Sequence, residues 1–237
     1  MKKKTTNWIF LIMILGVGMI LFSTCKKSDD NNTNNDPSPI TVSDIDGNVY
    51  HTVIIGNQTW MLENLRTTKY NDGTSIPLVT DSTEWKNLTT PGYCWYNNEG
   101  ATFKNEYGGL YNWYSVKTGK LAPSGWHVAT MDDWYTLFIY LGGSPVVGGK
   151  MKETGTLHWT SPNTGASNSS GFTALPGGCR LTNGIFDYIG KNGYWWSTTD
   201  ITIGQGWSWG LAYNRVESSW TGAYFKTGGL SVRCLKD

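Results

Sequence analysis

The sequence predicts an α+β domain of short antiparallel strands, two or three short helices and long irregular loops. Three observations predict it. The chain carries 13 Trp, 13 Tyr and 29 Gly against a charged fraction of only 16%, a composition that favours many strands and turns over long helices. Residues 121–141, LAPSGWHVATMDDWYTLFIYL, hold a strand, a cap and a helix in succession. Residues 49–62, VYHTVIIGNQTWML, read as a β-hairpin, two β-rich runs around the turn signal Gly56-Asn57.

In order along the chain, Lys2, Lys3 and Lys4 form a basic region before an unbroken apolar run of 15 residues, 8–22. That run is shorter than the roughly 18 to 20 residues of a spanning helix, so residues 1–24 read as a signal peptide. The ending Leu21-Phe22-Ser23-Thr24-Cys25 resembles a bacterial lipobox, with Phe22 and Thr24 as departures, and makes Cys25 the expected lipidation site. An uncleaved anchor or an ordinary secretory signal is the alternative. The stretch 26–39, KKSDDNNTNNDPSP, cannot bury enough apolar surface to offset ordering, so residues 25–40 read as the lipidated cysteine and a disordered tether. Lys26, Lys27, Asp29 and Asp30 resemble the export signal of Bacteroidetes-type lipoproteins, so the expected address is the outer membrane, with the domain facing outward. Without Lys2, Lys3 and Lys4 the 19 basic residues become 16, against 18 acidic ones, a net charge of −2 that does not gather nucleic acid.

Residues 41–237 form the expected domain. Ser43-Asp44-Ile45-Asp46-Gly47-Asn48 resembles the opening of a calcium loop, but no bidentate acid follows, and Asp-Gly-Asn is ordinary turn chemistry. After the hairpin, residues 82–88 suit a short helix ending before Thr90-Pro91, and 93–96 a buried strand. Leu110, Trp113 and Tyr114 stand at helical spacing within 108–116. Residues 126–128 form a strand, Thr130 stands as N-cap with Asp132 and Asp133 in the first turn, and Trp134, Leu137, Phe138 and Leu141 make one apolar stripe stopped by Gly142-Gly143. A further helical turn is expected over 146–152. From Glu153 the chain turns loop-like, with 22 residues, 157–178, dominated by Thr, Ser, Asn, Gly and Pro, and long loops of this kind tend to be functional. Residues 194–197 read as a buried strand, 207–213 as a half-buried strand with Trp207, Trp209, Leu211 and Tyr213 on one face, and 230–235 as the last strand.

The segments DIDGNVYHTVIIGNQTWMLENL, LTTPGYCWYNNE, GGLYNWYSV, PSGWHVATMDDW, KETGTLHWTSPNTGASNSSGFTALPGG, YWWSTT and SVRCLKD, in this order, resemble the Fibrobacter succinogenes major paralogous domain over nearly all of 41–237. That family is similar to the C-type-lectin-like fold shared with formylglycine-generating enzymes, where WHVATMDDW matches a strand-into-helix signature and SVRCL the final strand. The resemblance implies a C-type-lectin-like domain. Ala122 stands where members often carry a cysteine, the natural partner of Cys234, so the pairing among Cys94, Cys179 and Cys234 stays open. The calcium-sugar signatures of true C-type lectins are absent, and the fold alone does not carry sugar binding.

No nucleophile, zinc, phosphate or dinucleotide motif occurs, and the three cysteines do not reproduce the copper-binding pair of formylglycine-generating enzymes. His51, His127 and His158 read as structural, Glu63 and Glu153 as isolated, and no catalytic residue, cofactor or metal is expected. What recurs is an aromatic ring near amides and hydroxyls: Trp159 with Asn163 and Asn168, Tyr188 with Asn192, and Trp220 with Tyr224. Such sets suit sugar rings, whose C–H faces stack while their hydroxyls find amides. Trp159, Asn163, Asn168, Tyr188 and Trp220 are therefore the expected ligand residues, with Trp159 and Trp220 exposed and Trp195, Trp196, Trp207 and Trp209 in the core. The expected function is a surface-anchored, non-catalytic binding module for a glycan or another surface polymer. The alternatives are a structural or adhesion protein with envelope-protein partners, and an enzyme related to the formylglycine-generating group.

Overall fold

The hairpin forms as its turn residues dictate. In this computed structural model, which describes residues 40–237 and only the backbone at 219–221, strands β2 (Val49–Ile55) and β3 (Gln58–Met61) pair antiparallel from Ile55↔Gln58 around Gly56 at φ 64°. The signal peptide, the tether and Cys25 lie outside the described residues. Strand β1 (Thr41–Ser43) enters this sheet through the Asp44 turn. Asp44 accepts the N–H groups of Asp46 and Asn48 and the Tyr50 hydroxyl at 2.6 Å, while Asp46 accepts from Thr68, so both carboxylates are occupied as turn residues.

Small strands β4 (Tyr93–Cys94) and β5 (Leu110–Tyr111) pair with each other. Around them lie α1 (Ser82–Asn87), capped by Asp81, then α2 (Gly100–Tyr107) and α3 (Trp113–Val116), capped by Asn112. Residues 108–116 are therefore a glycine approach, a strand and one helical turn, where the sequence suggested a helix throughout. Strand β6 (Trp126–Val128) runs straight into α4 (Met131–Tyr140). Thr130 and Asp133 form a reciprocal capping box, and Gly142 and Gly143, at φ 97° and 64°, stop the helix. Trp134, Leu137 and Leu141 are buried as the stripe requires; Phe138 is half-buried at an edge. α5 (Val147–Met151) follows.

The second sheet has the order β11-β10-β9-β7-β8, from β7 (Gly177–Arg180), β8 (Phe186–Ile189), β9 (Asn192–Thr202), β10 (Gln205–Ala212) and β11 (Ser218–Phe225); only the β7–β9 contact is parallel. The last strand, β12 (Cys234–Lys236), returns to the first sheet between β3 and β6, giving β1-β2-β3-β12-β6. Twelve strands and five short helices among the described residues make this an α+β fold.

Strand β9 joins the two main core clusters. Trp195 packs with Trp60, Trp134, Phe172 and Trp209, and Trp196 with Tyr111, Trp113 and Cys234. Their indoles donate to Asn64 Oδ1 and to the Tyr111 carbonyl, each at 2.8 Å. Cys94, Cys179 and Cys234 are buried free thiols, so none of the three pairings forms. Burial pushes the thiols of Cys94 and Cys179 up to about 12 and that of Cys234 higher still.

Three fully buried cations fasten the loops. Arg180 donates to the carbonyls of Gly184, Val79 and Thr80. Arg233 donates to Asn64 Oδ1 and to the carbonyls of Met61, Phe172 and Thr173. Lys152 donates to those of Thr164, Ala212 and Arg215. A buried charge is tolerated only when such acceptors replace water.

Candidate functional site

The polar loop after Glu153 wraps onto the domain. Phe172 inserts fully into the core, Lys152 and Arg233 hold the loop carbonyls, and Glu153 N donates to the Ala174 carbonyl. This overturns the expectation for Trp159, which is only 1% exposed and donates its indole N–H to the Ala174 carbonyl at 2.9 Å. Asn163, also buried, donates to the carbonyls of Glu153 and Gly155. Asn168 closes on Thr173, donating to its hydroxyl and accepting its N–H. These three residues support the loop and form no binding surface, because a loop pressed against a core must satisfy its own backbone groups.

Tyr188 and Asn192 do come together, in a cleft of about 330 Å³ beside Tyr194, Tyr213, Lys191 and Arg215. Trp220 stands in β11 with its backbone opposite Gly210; its side chain lies outside the described residues.

A larger groove, about 630 Å³, opens between α4 and β10 and is lined by Met131, Asp132, Tyr135, Phe138, Ser144, Trp207, Trp209 and Ser218. Trp207, expected in the core, is half-buried here. The rings form a ladder from solvent to core. Tyr135, 60% exposed, stacks on Phe138 at 6.0 Å and 18°; Phe138 meets Trp209 edge-on at 5.8 Å; Trp209 adjoins Trp207 at 6.2 Å and stacks on buried Trp134 at 5.7 Å and 4°. The buried indole N–H groups of Trp209 and Trp134 have no hydrogen-bond partner within the protein. Asp132, Ser144 and Ser218 add polar groups to the lining.

The capped helix positions half of this ladder and the central strand the other half. The sequence held a signal for it: Met131, Tyr135 and Phe138 stand at i, i+4 and i+7, a second apolar stripe beside the core stripe. It was obscured because Phe138 also fits the core stripe.

The histidines are each paired with carboxylates. His51 binds Glu63 at 2.7 Å, His127 lies between Asp133 and Asp237, and His158 lies between Glu153 and Glu106. Glu63 and Glu153, read as isolated, thus have imidazole partners. Burial lowers the His158 pKa, but Glu153 and Glu106 outweigh it and the net shift is upward. No histidine lines the groove or the tyrosine cleft.

Among known proteins, no curated protein and no solved structure matches the chain. The family model described as the Fibrobacter succinogenes major domain matches residues 53–236, a span that contains both the groove and the cleft. By that match, the chain belongs to the Fibrobacter succinogenes major domain family.

Proposed function

We propose that this chain is a non-catalytic binding module, held at the outer surface of a bacterial cell by a lipid on Cys25, that takes a glycan or another surface polymer in the groove between α4 and β10. The observation that carries this reading is the ring ladder from exposed Tyr135 through Phe138 to Trp207 and Trp209. Its volume, about 630 Å³, is within the usual size of a small-ligand cleft. Flat apolar rings with polar groups beside them match a sugar, whose axial C–H faces stack and whose hydroxyls need partners. Asp132 and Tyr135 are the titratable side chains of the lining, and a lone carboxylate without a partner base supports binding over acid-base chemistry. We also read the fold as C-type-lectin-like. What supports this is that the two segments carrying that likeness lie side by side, Cys234 of the final strand pairing with Val128 before the capped helix.

The test is a glycan array probed with the full-length protein and with Tyr135→Ala and Trp207→Ala. The reading expects defined glycans to bind wild type and to lose most of their signal in both variants, at unchanged melting temperature for Tyr135→Ala. Absence of any bound glycan, or binding by both variants as strong as by wild type, sinks it. A second reading, a protein partner in the cell envelope, draws on the exposed Ile54 and Tyr140 at a further depression of about 380 Å³.

A further inference from the structure

The cleft beside β8 and β9 differs in chemistry from the groove. Its walls carry the rings of Tyr188, Tyr194 and Tyr213, the amide of Asn192, and the exposed cations Lys191 and Arg215. Beneath it, buried Lys152 sends its ammonium to the carbonyls of Arg215 at 2.7 Å and Ala212 at 3.1 Å, both residues of the lining. Among the described residues none of these three cations forms an ion pair. Two carboxylates stand near in the chain: Asp187, within β8, accepts the Tyr188 N–H at 2.7 Å, and Glu217 follows Arg215 by two residues, in no ion pair among the described residues. Three cations without a direct ion-pair partner thus stand around one small concavity against two nearby carboxylates, a balance that leaves the cleft net positive and draws an anion.

The frame is fixed. Lys191 N donates to the Tyr188 carbonyl, Tyr213 N to that of Lys191 at 2.8 Å, and Thr160 N to that of Gly190 at 2.7 Å. Tyr188 sits at φ 66°, a left-handed conformation costly for a bulky side chain, and stays 39% exposed with its ring edge-on to Tyr194 at 6.1 Å. Asn192 donates to the Tyr194 hydroxyl at 2.5 Å and so orients that ring. Tyrosine faces beside an amide suit a pyranose; the guanidinium of Arg215 suits a planar carboxylate, which it can meet with two parallel N–H bonds.

We propose that this cleft is a second binding site, specific for an acidic sugar whose carboxylate meets Arg215 and Lys191 while its ring packs on Tyr188 and Tyr213. It does not rest on the groove. Trp207 and the cleft residue Tyr213 are six residues apart along β10 and the turn after it, about 20 Å of extended chain.

The experiment uses the full-length protein and three uronic-acid polymers, polygalacturonate, alginate and hyaluronate, each beside its methyl ester. At least one acid form is expected to bind, its ester to bind roughly tenfold more weakly or worse, and the double variant Lys191→Gln/Arg215→Gln to lose the acid polymer to the same degree. Trp207→Ala should leave that binding unchanged, which separates failure of the groove from failure of the cleft. Melting curves confirm that the double variant, altered only at exposed side chains, is folded. Binding of none of the three polymers, equal binding of acid and ester, or full binding by the double variant each overturns the proposal.

Discussion

Arg233→Met tests the claim that a buried guanidinium fastens the long loop to the first sheet. Arg233 is fully enclosed, and burial pulls its pKa down to about 9, so it stays charged at neutral pH. It donates to Asn64 Oδ1 at 2.7 Å, to the carbonyls of Met61 and Phe172 at 3.0 Å and of Thr173 at 3.2 Å, and lies 4.5 Å from the centre of the Phe172 ring. Methionine fills much of the same volume and donates nothing. Asn64 Oδ1 keeps the Trp195 indole as a donor, but the carbonyls of Met61, Phe172 and Thr173 lose theirs. At about 1 to 3 kcal/mol per orphaned buried acceptor, and less the desolvation that the absent charge no longer suffers, the net loss is about 3 to 5 kcal/mol. For a domain of this size that lowers the melting temperature by roughly 6 to 20 °C. Urea unfolding gives the number directly, and Arg233→Lys, which keeps the charge but not the fork, should fall between. A loss below about 1 kcal/mol for Arg233→Met would refute the reasoning, because the guanidinium would then carry no net stability.

Trp159→Ala should cost about 3 to 5 kcal/mol in the same assay, as Trp209→Ala should, since both indoles are enclosed by the second core cluster; near-neutrality of Trp159→Ala would restore it as a surface residue. His158, its pKa raised in the folded state, contributes stability that is fully present below the unfolded value near 6.5 and lost as pH rises through the folded one. Subtracting the His158→Gln melting profile from that of wild type should therefore show a difference that shrinks on the alkaline side, and a flat difference contradicts the carboxylate clamp. Cys94, Cys179 and Cys234 should resist alkylation at pH 8 in the native protein and react once it is unfolded, as mass spectrometry would read; rapid native labelling of any of them contradicts its burial.

What was legible in the sequence is what local chemistry decides. The hairpin at 49–62 was legible because its turn demands glycine at a positive φ, and the capped helix because Thr130 and Asp133 form their box within four residues. Helix α2 was not, since it buries no residue and so carries no stripe. The period of β10 was visible, yet its two faces were not separable: Ser208 and Gly210 are buried like Trp209, because β10 is an inner strand between β9 and β11 and its small residues are screened by the strands at either edge. Trp159 was misjudged for the opposite reason. Its neighbours are polar, but their polar atoms turn back onto the loop's own backbone, and the partners that draw the loop inward, Arg233 and Trp60, come from distant parts of the chain. Of the expected ligand residues, Tyr188 lines a cleft, where a tight turn brings its neighbour Asn192 beside it; the α4 groove joins elements some 70 residues apart, beyond any local pattern.

The most direct test of the central claim is a crystal structure of the protein with the oligosaccharide that the array selects. The account expects one sugar ring lying face-on against Tyr135 or Trp207, its hydroxyls reaching Asp132, Ser144 or Ser218. A ligand seated elsewhere, with the α4–β10 groove holding only water, would contradict it.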